Sequence, residues 1–102
     1  MKSIIEAAWN DRNLLQNEET RNAINNVIAA IDSGELRVAE PLGNGTWQVN
    51  EWVKKAVVMY FPIRQMETIE VGPFEFHDKM ALKTGYKEKG IRVVPHAIAR
   101  YG

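Results

Sequence analysis

The sequence predicts an α+β fold: a small, mainly helical domain of about three helices plus a β-hairpin. Two observations carry this. Ile24, Val27, Ile28 and Ile31 recur at i, i+3, i+4 and i+7, the spacing that lines one face of a helix. The period then drops to two: Leu36 and Val38 alternate with Arg37 and Ala39, and Trp47 and Val49 alternate with Thr46 and Gln48 beyond Gly43-Asn44-Gly45. A chain of 102 residues has room for one domain, and a fold of that size buries roughly 60 to 70% of the surface its unfolded chain exposes.

Each element has its own local signal. Ser3 with Glu6 three residues later forms a capping-box pattern, so a first helix is expected over 3–13. The second is expected over 20–33 and ends at Ser33-Gly34, where glycine accepts a left-handed cap. The hairpin takes 36–49, with Asn44-Gly45 suited to a tight turn of positive φ. Asn50 is placed to cap a third helix over 50–61, in which Trp52, Val53, Ala56, Val57 and Tyr60 return to helical spacing and Pro62 supplies the stop. From Ile63 to Lys89 the pattern weakens: Gly72-Pro73 breaks it, and alternation at Phe74 and Phe76 suggests a strand. Gly90 then precedes a β-branched run, Ile91-Arg92-Val93-Val94-Pro95. The aromatic residues Trp47, Trp52, Tyr60, Phe61, Phe74 and Phe76 are expected mostly in the core, since aromatic side chains dominate burial in small domains. Lys54-Lys55 is expected on a solvated helix face, with Glu51 one turn away as a partner.

Charge and composition narrow the function. Thirteen basic residues balance thirteen acidic ones without a run of either sign, so no footprint for nucleic acid or anionic lipid is expected. Without cysteine there is no disulfide framework and no thiolate nucleophile or metal ligand. The start, Met1 to Glu6, places an acid where a signal peptide needs an apolar run, which points to a cytoplasmic protein with no membrane segment.

The residue types suited to chemistry mostly have plainer roles here. Ser3 and Ser33 fall at predicted helix ends, which argues against a serine-histidine triad. His77 and His96 lack a second ligand at i, i+4, and no metal is assigned. Gly43-Asn44-Gly45 begins like a dinucleotide loop, but Gln48 replaces the third glycine and a hairpin surrounds it. Asn44-Gly45-Thr46 matches a glycosylation acceptor only by accident in a chain read as cytoplasmic. No catalytic or cofactor-binding residue is therefore expected here.

Three stretches carry a resemblance: INNVIAAIDSGELRVAE from Ile24 to Glu40, WVKKAVVMYFPI from Trp52 to Ile63, and GIRVVPHAIARYG from Gly90 to Gly102. In order and spacing they are similar to the amino-terminal region of the tetrahydrodipicolinate N-succinyltransferases. The chain departs from that pattern in lacking a proline near Met80-Ala81 and in carrying His96 where a proline or small residue is common. The resemblance implies an enzyme of the diaminopimelate route to lysine, which moves a succinyl group from succinyl-CoA to the amino group of ring-opened tetrahydrodipicolinate. It implies a helical and hairpin domain over 1–90, with 91–102 leading into a left-handed β-helix that lies outside this chain. That β-helix would assemble a homotrimer and supply both the CoA groove and the catalytic carboxylate, leaving this chain inactive alone. The rival reading is a free-standing protein-interaction module.

The resemblance also singles out Arg92 as a substrate-binding residue for the dicarboxylate. A guanidinium presents a planar fork of donors that meets a carboxylate bidentately, whereas lysine offers a point charge. By residue type alone, the favoured reading of Arg92 is a solvated charge on an edge strand between buried Ile91 and Val93, or a cap on a nearby helix carbonyl, because most arginines are surface residues; the motif reverses that preference.

Overall fold

A computed structural model describes residues 1–102. Helices α1 (Lys2–Asn10), α2 (Glu18–Ser33) and α3 (Glu51–Ile63) pack on one another, with a 3-10 turn at Arg12–Gln16. Two antiparallel ribbons complete the fold, β1 (Ala39–Pro41) with β2 (Trp47–Val49) and β3 (Glu67–Val71) with β4 (Phe74–Asp78). The α+β expectation of three helices and a hairpin holds, and a second hairpin occupies the stretch where the sequence pattern is weak.

The core follows the helical spacing at Ile24, Val27, Ile28, Val53, Ala56 and Tyr60, while Ile31, Trp52 and Val57 are only partly buried and Met59, not marked by that spacing, is fully buried. Ile5 and Ala8 from α1, Ala23, Ile24, Val27 and Ile28 from α2, and Val53, Ala56, Met59 and Tyr60 from α3 are buried against one another. Leu15 and Met80 close the ends of this cluster. At the rim, Lys55 Nζ on α3 meets Glu6 Oε2 on α1 at 2.7 Å and lies 5.7 Å from the centre of the Trp9 ring.

The helix ends differ from expectation in instructive ways. Helix α1 already begins at Lys2, so Ser3 lies within the first turn rather than at its cap, and no side-chain cap bond forms. Glu6, the other half of the anticipated capping box, is committed to Lys55 instead. The helix stops three residues short of Asn13 because Asp11 is extended and its carboxylate accepts the Asn13 N–H at 3.1 Å, starting the 3-10 turn. Helix α2 ends as predicted. Gly34 has φ 85°, its N–H reaches the Ile31 carbonyl at 3.1 Å, and the Glu35 N–H reaches that of Ala30 at 2.9 Å, the paired bonds of a Schellman motif. Asn50 makes no side-chain cap on α3. Its amide donates to the Arg37 carbonyl at 2.8 Å and its oxygen accepts from Gln48 at 3.0 Å, tying the first ribbon to the helix start. Pro62 is taken into the last turn of α3, which runs one residue beyond it, so the stop comes after the proline and the final turn goes without one ladder bond.

The ribbons correct the sequence reading further. Gly43 and Gly45 both have φ 83° while Asn44 does not cross to positive φ, so the turn is a three-residue loop closed by the Leu42 N–H on the Thr46 carbonyl at 3.0 Å, not a two-residue Asn-Gly turn. Asn44 Oδ1 instead accepts from the backbone and hydroxyl of Thr46. Trp47 is 64% exposed, and Phe61, Phe74 and Phe76 are also exposed, so of the aromatic residues assigned to the core only Tyr60 is buried, with Trp52 half-buried at the edge of the cluster. Period alone cannot decide this: an alternating strand buries a face only when another layer covers it, and each ribbon here has just two strands. Phe74 and Phe76 stack on each other, ring centres 6.5 Å apart.

Beyond β4 the chain becomes an arm. It runs out past Met80, turns through 85–91, and returns so that Leu82 bridges Arg100, the Lys83 N–H meets the Ala99 carbonyl at 2.8 Å and the Tyr101 N–H meets that of Ala81 at 2.9 Å.

Replacing Ile24 by Ala is expected to lower the unfolding free energy by about 2–5 kcal/mol, whereas Trp47→Ala should stay within about 0.5 kcal/mol. Urea denaturation followed by circular dichroism checks the pair. A Trp47 cost equal to that of Ile24 would return the ribbon to the core.

Candidate functional site at Arg92

The outward-facing part of the arm holds an open cleft of about 470 Å³, walled by Tyr86, Ile91, Val94 and Ile98 and carrying two cations, Lys83 and Arg92. The two cations are in different states. Lys83 Nζ is bonded to Asp32 Oδ1 at 2.7 Å, with both side chains largely covered. Arg92 is exposed and forms no ion pair or side-chain hydrogen bond within the chain. Ile91, expected to be buried beside it, is 46% exposed, and residues 91–94 are not a strand. The reason is local: the run is held by the Ile91 N–H on the Tyr86 carbonyl, a turn contact, and has no neighbouring strand to pair with.

Asp32, in the last turn of α2, is the group the sequence reading missed. Besides Lys83 it accepts the Gly102 N–H at 3.0 Å, and its second oxygen faces Lys89 Nζ at 3.7 Å. The hydrogen bond from Lys83, then that from the Gly102 amide, and the charges of Lys83 and Lys89 hold its carboxyl below the usual carboxylate range against the opposing effect of burial. No short-range spacing could reveal it, because Lys83 lies 51 positions away.

The remaining candidates sit where their plainer roles place them. Ser33 Oγ lies 3.1 Å from the Ala30 carbonyl at the end of α2. His77 Nδ1 meets Thr68 Oγ1 at 3.0 Å across the second ribbon, and His96 is exposed. Gly43-Asn44-Gly45 lies in a hairpin loop rather than between a strand and a helix. Lys55 is not solvated beside Glu51 as anticipated but is engaged with Glu6, since α1 brings an acid within reach from the other side; Lys54 is exposed. No helix is long and apolar enough to cross a membrane.

The chain is thus an α+β domain of three helices and two short ribbons, with an arm on which the Arg92 guanidinium is exposed and unpaired. A family model described as the tetrahydrodipicolinate N-succinyltransferase N-terminal domain matches residues 1–63, more than half of the chain, and the chain belongs to that family. Over its whole length it is similar to proteins named 2,3,4,5-tetrahydropyridine-2,6-dicarboxylate N-succinyltransferase. It is 38% identical to that of Variovorax paradoxus, 39% to that of Paracidovorax citrulli and 39% to that of Coxiella burnetii. The chain spans about 40% of the length of these relatives. Arg92 lies outside the stretch matched by the family model but within the aligned span of the relatives.

The sign of the Asp32 shift fixes a pH dependence. A carboxylate whose folded pKa is depressed stabilises the fold above its unfolded value, near 3.8, and that contribution is lost as pH falls through the lower folded value. The stability difference between the parent chain and Asp32→Asn is therefore expected to be constant at neutral pH and to shrink in the acid range below the unfolded value. Thermal melts of both proteins at stepped pH check this; a difference that grows on acidification would contradict the ion-pair assignment.

Proposed function

We propose that this chain is the N-terminal domain of a succinyl-CoA-dependent acyltransferase of the diaminopimelate route to lysine, and that Arg92 binds a carboxylate of its dicarboxylate acceptor. The observation that carries the site is the contrast within one cleft, where Lys83 is neutralised by Asp32 and Arg92 is left free. An unpaired guanidinium beside apolar Ile91, Val94 and Ile98 suits a carboxylate, because hydrogen bonds to charged groups contribute about 1.5–3 kcal/mol each and strengthen as water is displaced.

In the reaction the acceptor amine attacks the thioester carbonyl of succinyl-CoA, an amide C–N bond forms, the C–S bond breaks and the coenzyme A thiol departs with the proton the amine releases. Arg92 takes no part in that bond exchange. It fixes the acceptor by its carboxylate so that the amine is presented to the acyl carbon, and orientation of this kind removes much of the entropic barrier to a two-substrate step. The acid-base carboxylate and the CoA groove belong to a C-terminal β-helix in this reading, as does the surface that forms the homotrimer. Identity along the whole chain, at 40% of the relatives' length, supports reading it as one part of a longer enzyme.

In the full-length enzyme, Arg92→Ala and Arg92→Lys are both expected to lower kcat/KM for the amino acceptor by roughly tenfold or more, at about 1.4 kcal/mol per decade, with the KM for succinyl-CoA little changed. Steady-state kinetics with each substrate varied in turn measure this. Near-normal acceptor kinetics in both variants, or a loss that only follows a collapse of the melting temperature, would make Arg92 structural. The 102-residue chain by itself is expected to show no succinyl transfer and no trimer in sedimentation, and turnover by homogeneous chain would overturn the assignment of the chemistry to the C-terminal region.

A further inference from the structure

The loop that carries Arg92 has little structure of its own. Between Lys83 and Ala99 it contains turns at 85–91 and 94–97 but no strand or helix, and Ile91, Val94 and Ile98 are exposed, so packing does not hold it in place. Its attachment to the helical core is polar and runs largely through one side chain. Asp32 touches the entry of the loop through Lys83 Nζ at 2.7 Å, its middle through Lys89 Nζ at 3.7 Å, and the residue after its return through the Gly102 N–H at 3.0 Å. Lys89 is itself braced, its ammonium donating to the Thr84 carbonyl at 3.1 Å.

Two further observations point the same way. Asp32 stands in the last turn of α2, where the helix dipole disfavours an acid, so its place is unfavourable unless cations face it. Gly102 has φ 89°, and a Cβ built there would lie 2.8 Å from Ile28 Cγ2, so its backbone is seated directly on α2 where a side chain would collide. The only other ion pair on the arm, Arg100 with Asp78 at 3.4 Å, is much more exposed and leads to the second ribbon rather than to the core. Surface pairs of that kind are weak.

Lys83 also lines the cleft, so the bond to Asp32 does two things at once: it fixes one wall and withdraws the competing cation. Resting on the reading of Arg92 given above, we propose that Asp32 is a positioning residue, which clamps the loop at Lys83, Lys89 and Gly102 and so holds Arg92 in one orientation toward the acceptor carboxylate. Asp32 does not touch the substrate. It acts through the geometry of the loop, and its removal leaves Arg92 present but poorly aimed.

The experiment has two arms. Hydrogen exchange on the 102-residue chain compares the parent with Asp32→Asn. The amides of Lys83, Ile91, Ala97 and Tyr101 are expected to exchange faster in the variant, while those of Ile24, Val27 and Met59 in the core keep their protection. In the full-length enzyme, Asp32→Asn is expected to raise the acceptor KM on the order of tenfold with kcat and the KM for succinyl-CoA nearly unchanged. Asp32→Glu, which keeps the charge, should recover most of that loss, and Asp32→Asn combined with Arg92→Ala should be no worse than Arg92→Ala alone. Unchanged exchange at the four loop amides overturns the clamp. Fully additive effects in the double variant overturn its action through Arg92. Normal acceptor kinetics in Arg92→Ala overturn the reading of Arg92 and the positioning role with it, a result separate from the exchange data, which report on the clamp alone.

Discussion

Exclusion of water from the seam between α1, α2 and α3 is the constraint on which the rest of the molecule depends. The cluster holds twelve buried hydrophobic residues, and all but Leu15 and Met80 come from those three helices. Burial of apolar surface contributes about 25 cal/mol per Å², so a core this small leaves little surplus. Outside the helices, apolar contacts from Leu36, Val38 and Met80 are supplemented by polar tethers. The first ribbon is tied through Asn50, the rim of α1 and α3 through Lys55 and Glu6, and the arm through Asp32. Each tether is polar, and each begins on or beside a helix whose position the seam has already fixed.

This division explains what the sequence discloses. Apolar residues at helical spacing declare a buried face, because a helix that lacks a covered side has no reason to be apolar there; the core side of α2, from Ile24 to Ile28, was legible for that reason. Gly34 was legible because a left-handed cap excludes almost every other residue. Trp47 was not. Its alternation with Gln48 describes a strand correctly, but which face of a strand is covered depends on a second layer that local pattern does not contain. The capping-box residues failed for a related reason: Ser3 and Glu6 have the right spacing, yet the acid found a stronger partner on another helix.

The candidate site divides in the same way. Arg92 came from resemblance, not from physical pattern, and its residue type by itself favoured a solvated surface charge. The structure adds the state of the other cation in its cleft, Lys83, which a contact between α2 and the arm pairs with Asp32. Ion pairs between residues so far apart in the chain leave no periodic trace. The one local hint was Asp32 itself, an acid at the wrong end of a helix, a placement that needs cations from elsewhere to be tolerable.

The first ribbon has a further property that follows from its composition. Strand β1 ends in Pro41, paired with Trp47, and both strands are three residues long. Proline offers no N–H to a strand laid alongside it, and so short a ladder gives an approaching chain few bonds to add. Trp47 and Val49 are thus left open to solvent on a ribbon that makes a poor template for edge-to-edge growth. Edge-to-edge pairing at this ribbon is discouraged by backbone chemistry, while the apolar side chains stay uncovered.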